Sequence, residues 1–128
     1  MKTTFAVILS ALTASISAVP LEARQAQQVT FALSNDQSGA YAGVTFPADG
    51  TDKSIKALYG GTSVGASGSV LASSAQLTAF PQSIHCTLWN NGVALGTFTA
   101  DHTYVDLDGN PAVAIPVNLD GGIINCSA

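Results

Sequence analysis

Few side chains in this sequence are equipped for chemistry. Two imidazoles, His85 and His102, two thiols, Cys86 and Cys126, and one indole, Trp89, stand among many serines and threonines and a thin scatter of aspartates. Nucleophilic catalysis would need a serine or thiol held by one of the imidazoles. His85 directly precedes Cys86, and neighbours on a strand face opposite ways, so it is a poor activator of that thiol. Gly65-Ala66-Ser67-Gly68-Ser69 lacks the final glycine of a nucleophile elbow, and no strand leading into a long helix surrounds it. His102 follows Asp101 in what reads as a loop, which favours a plain surface imidazole. Beyond residue 24 the chain has no glutamate, so a two-carboxylate glycosidase site would have to be built from aspartates, most of them at turn positions. No catalytic residue is assigned. A small secreted hydrolase using His102 or His85 with an aspartate or serine is the enzymatic alternative.

Metal chemistry fares no better. Asp106, Asp108 and Asn110 alternate like the start of a calcium loop, but Pro111 stands where that loop needs glycine and Val117 where it needs glutamate. The segment reads as a polar hairpin turn. A looser oxygen site involving Asp101 or Asp120 has no geometry to recommend it, and the two histidines lack any zinc spacing. We therefore expect no metal and no cofactor. Trp89, followed by Asn90-Asn91-Gly92, is the candidate binding group, because an indole beside amides can stack on a sugar ring or enter a partner's pocket. Cross-strand packing is the competing use of the same ring. Trp89, Asn90 and Asn91 are accordingly the candidate binding residues. Asn125-Cys126-Ser127 fits a glycosylation acceptor, but its middle residue is expected in a disulfide, which argues against occupancy.

The elements that must position these groups follow from composition and pattern. The chain has 128 residues, of which 9% are charged, with 12 glycines and two cysteines. One domain is the limit for that length. Met1-Lys2-Thr3-Thr4 and the apolar run from Phe5 reach small residues at Ser17-Ala18, which reads as a signal peptide over 1–18. Pro20, Glu22 and Arg24 close the stretch too early for a membrane span. Residues 19–24 then form a pro-segment ending at Arg24, and 25–128 form the mature domain. That domain keeps two basic against seven acidic side chains, a net charge of −5. Nucleic acid has no electrostatic support as a partner, and no membrane is expected once the leader is removed, since no later run is apolar for long enough to span a bilayer. An even cysteine count in an exported chain pairs Cys86 with Cys126.

Within the mature domain, Val29 to Leu33 and Ala40 to Phe46 read as strands around the turn Ser34–Gly39. Pro47 to Asp52 reads as a loop, with Asp52 capping a short helix over 53–59. Ile84 to Thr99 is a β-hairpin about Asn91-Gly92, whose inward face carries Ile84, Cys86 and Leu88 and leaves Trp89 outside the core. A second hairpin is expected about Asp108-Gly109, its return strand marked by Val113, Ile115, Val117 and Leu119, with Pro116 at an edge or bulge. Asp120-Gly121-Gly122 turns the chain into a last strand ending at Cys126. Together these predict an all-β fold, a compact antiparallel β-sandwich or barrel with one short helix and one disulfide.

Val19-Pro20-Leu21-Glu22-Ala23-Arg24 resembles the pro-segments that kexin-like proteases remove from secreted proteins of filamentous fungi. In size, leader and cysteine use the chain resembles the small secreted effector or elicitor proteins of fungi. That resemblance implies an extracellular setting and a non-enzymatic role, acting by surface binding on an extracellular protein or polysaccharide, at a cell wall or host surface. A structural protein of the fungal cell surface is the other alternative, although hydrophobins resemble one another through eight cysteines and this chain has two.

Overall fold

The computed structural model describes residues 26–109 and 112–128. The expected signal peptide, the processing positions Ala18 and Arg24, and Asn110 lie outside the described residues. The first sheet begins with β1 (Gln28–Asn35) and β2 (Ala40–Pro47), an antiparallel pair in register from Gln28 opposite Pro47 to Asn35 opposite Ala40. Two further strands, β5 (Ser74–Ala79) and β8 (Tyr104–Asp106), complete the order β2-β1-β5-β8. The second sheet is built from β3 (Asp49–Ser54), β10 (Gly122–Ser127), β6 (His85–Asn90) and β7 (Val93–Thr99), side by side in that order. Two short strands, β4 (Leu71–Ala72) and β9 (Val117–Asn118), pair separately. The sheets stay open at their edges, so the architecture is a sandwich and not a closed barrel.

Alternation along the strands explains the layering. From β1 the inward residues Val29, Phe31 and Leu33 are buried, as are Cys86 and Leu88 from β6 and Phe98 from β7. Phe31 and Phe98 meet across the two sheets edge to face, with ring centroids 4.9 Å apart and planes at 86°. Gly96 on β7 lets the sheets close at one corner, since a Cβ there would lie 2.9 Å from the methyls of Val105 on β8. A helical turn, α1 (Ile55–Tyr59), covers the core with Ile55 and Tyr59, four positions apart on one face and both fully buried. The Tyr59 hydroxyl donates to the Phe31 carbonyl, and burial pushes its ionisation well above the ordinary tyrosine range.

Three local expectations fail. The stretch read as a loop before the helix contains β3, which is held by the ladder to β10. The helix cap is Ser54, whose Oγ accepts from Ala57 N at 3.2 Å; Asp52 sits inside the strand. The second hairpin does not form: β8 pairs with β5, and only Val117 and Asn118 of the return segment are extended, against β4. Val113 and Ile115 are exposed. Pro116, which has no N–H for a ladder, immediately precedes β9.

The bridge joins Cys86 of β6 to Cys126 of β10. These residues are direct cross-strand partners with Cα atoms 4.1 Å apart, so the disulfide lies within the second sheet, not between sheets.

Candidate functional site

The hairpin that carries Trp89 forms because its turn residues accept left-handed backbone. Asn91 has φ 52° and Gly92 φ 84°, both positive as a primed two-residue turn demands. A bulge follows at once. Leu88 pairs with Gly96 but Trp89 pairs with Ala94, which leaves Leu95 as an extra residue on β7. On the other side Trp89 faces Ile123 of β10. The indole is half-buried on the outer face of the second sheet, opposite in direction to Cys86 and Leu88.

Trp89, Ile123, Gly92 and Asp52 line a shallow depression of about 220 Å³. Asp52 is the member that the sequence does not signal, because the segment Asp49–Ser54 has no apolar side chain and so shows no apolar alternation. Its Oδ1 accepts from Asn125 Nδ2 at 2.8 Å, and the same amide donates to the Gly50 carbonyl at 2.9 Å. The Asn125 side chain is thus committed to β3, which leaves the glycosylation acceptor tied down in the folded chain. The outer face therefore combines one aromatic and one aliphatic group with a carboxylate and an amide already oriented by each other.

Asn90 and Asn91 are not part of that face. Asn90 lies one residue on, so it turns the other way, and its Nδ2 donates to the Asn118 carbonyl at 3.0 Å. Its Oδ1 is buried without a hydrogen-bond partner. Asn91 shapes the turn: its N–H donates to the Gly121 carbonyl at 3.2 Å, and its side chain lies over Gly121, where a Cβ would come within 2.1 Å of its Oδ1.

A row of polar residues crosses the far end of the same sheet. Pairing sets Asp49 beside Ser127, Ser127 beside His85, His85 beside Thr99 and Thr99 beside His102. Serine, histidine and carboxylate are therefore neighbours, but in the wrong order for a triad, in which the carboxylate must orient the imidazole. Asp49 is also committed, accepting from Thr51 Oγ1 at 2.6 Å and Lys53 Nζ at 3.0 Å, and these bonds hold its carboxyl well below the usual range. Among the described residues neither imidazole bonds a serine or a carboxylate, and both histidines are exposed.

Asp101 is exposed, whereas Asp120, Asp36 and Asp108 are tied into the fold. Asp120 accepts from Val70 N at 2.8 Å and pairs with Lys56 at 3.4 Å, which lowers its ionisation. Asp36 takes hydrogen bonds from Ser73 and Ser74, both buried. Asp108 accepts from Ile115 N at 2.7 Å, and its hydrogen bond with Asp106 raises the latter's ionisation. No group of three or more His, Cys, Asp or Glu suited to a metal ion occurs among the described residues. No described helix is long and apolar enough to cross a membrane. Comparison with protein families, with curated proteins and with solved structures gives no match, which leaves the chain's own geometry as the guide to what it does.

Proposed function

We propose that this chain is an exported, non-enzymatic binding protein of the extracellular space, effector- or elicitor-like, that contacts wall polysaccharide through the outer face of its second sheet. The leader and the short segment ending at Arg24 support the route. The buried Cys86–Cys126 bridge fits an oxidising compartment. The observation that carries the binding reading is Trp89 beside Ile123 and Asp52 on a solvent-facing sheet. An indole presents its apolar face to the C–H face of a sugar ring. Asp52 uses only Oδ1 internally among the described residues, so Oδ2 remains for a ligand hydroxyl.

The test is retention of the secreted protein on insoluble wall polysaccharides. Trp89→Ala should abolish retention while circular dichroism and the thermal midpoint show an intact fold, and Trp89→Phe should keep part of it. Unchanged retention in Trp89→Ala eliminates this face as the binding surface. Turnover in a screen of esters, peptides, RNA and glycans, lost in His102→Ala or His85→Ala, would instead establish the hydrolase.

A further inference from the structure

A second concavity lies at the other sheet, where the β1–β2 turn meets the 3-10 turn Ser63–Gly65. It encloses about 330 Å³, at the small end of ligand pockets. Its lining mixes polar side chains, among them Asn35, Gln37 and Ser63, with apolar ones, among them Val64, Leu71 and Pro116. No charged or ionisable side chain lines it among the described residues.

Asn35 is the informative member. It is only 7% exposed, and its Oδ1 accepts from both Gln37 N and Ser38 N at 3.1 Å. Those two backbone donors fix which end of the amide is oxygen. The Nδ2 at the other end has no hydrogen-bond partner among the described residues. Because Nδ2 lies in a largely enclosed residue and bonds no described protein group, it is left to solvent or to a ligand that accepts from it.

We propose that this pocket binds one neutral pyranose ring, free or at the end of a glycan, with Asn35 Nδ2 donating to a ring hydroxyl or ring oxygen. The absence of charge in the lining disfavours phosphate and carboxylate ligands, which it offers no counter-ion. A lining that mixes polar and apolar groups suits a ring with hydroxyls at its rim and C–H groups on its face. This site is independent of the Trp89 face, so either can fail alone.

The experiment follows backbone amide shifts of the isotopically labelled, oxidised, secreted protein during titration with a free hexose, an N-acetylhexosamine and a short oligosaccharide ending in the same ring. Saturable shifts clustered on Asn35, Ser38, Ser63 and Val64 are expected. Response to the free sugars alone identifies a small metabolite, and response to the oligosaccharide identifies a chain end. Asn35→Asp keeps both acceptor bonds to the turn and deletes the donor, and should weaken binding about fivefold or more. Ala66→Leu, at an exposed position of the wall, should fill the space and abolish binding. The proposal is overturned if no neutral pyranose gives saturable shifts at these residues, or if Asn35→Asp binds as well as the natural protein. Shifts confined to the Trp89 indole would overturn it too, while supporting the sheet-face reading.

Discussion

Removing the bridge is the perturbation whose size the structure sets best. Cys86 and Cys126 are 40 positions apart, so the bond closes a ring of 41 residues. In the chain-entropy description, denying that ring to the unfolded chain is worth about 4 kcal/mol. The enclosed segment contains β7, β8 and β9, one strand from each of the three sheets, so the constraint reaches the whole fold. With about 2 kcal/mol per molar for urea, Cys86→Ala/Cys126→Ala should lower the unfolding midpoint by about 2 M. The sulfurs are buried, at 0% and 2% residue exposure, so a thiol reductant should act on the native protein only as fast as the protein opens. Urea titrations of the natural and double-alanine proteins measure the first effect, and alkylation of freed thiols measures the second. A midpoint shift under about 0.5 M would show that the ring entropy is not what stabilises this fold. Rapid reduction without denaturant would show that the two central strands separate easily.

The packing and the charges set two more expected outcomes. Gly96→Ala places a Cβ 2.9 Å from the Val105 methyls and should destabilise by about 1–3 kcal/mol in thermal or urea unfolding, with partial relief from Val105→Ala; a neutral result would mean the corner is loosely packed. Asp120 ionises below its ordinary 3.8, so its contribution is present above that value and is lost as pH falls through the lowered one. Asp106 acts in the opposite sense, because its raised ionisation makes the charged form the less favoured one. Asp120→Asn should therefore flatten the loss of stability below pH 3.8, read from urea midpoints across the acid range, and an unchanged slope would remove Asp120 from the account.

Features with a local cause are legible in the amino-acid sequence. The Asn91-Gly92 turn is one, since few residues tolerate positive φ and the flanking strands alternate. The β1–β2 hairpin and the partnership of the two cysteines are others. Alternation alone misleads at Val113 and Ile115, which among the described residues join no strand pairing, and Pro116 cannot donate to one. It is equally silent at β3, whose polar residues are extended only because β10 offers them a ladder. Asn35 reads as an ordinary turn residue, and only the folded turn, whose N–H groups take its Oδ1, shows that Nδ2 is left over.

The order of residues alone thus settles an all-β chain clipped by one disulfide, because turn conformation, period-two patterning and cysteine count act over short distances. What surrounds Trp89 is settled in three dimensions. Asp52 reaches it through the order β3-β10-β6, a pairing of distant segments in which Asn125 bonds Asp52 across 73 residues. Such contacts depend on how the whole chain closes its loops, and no window of neighbouring residues contains that information.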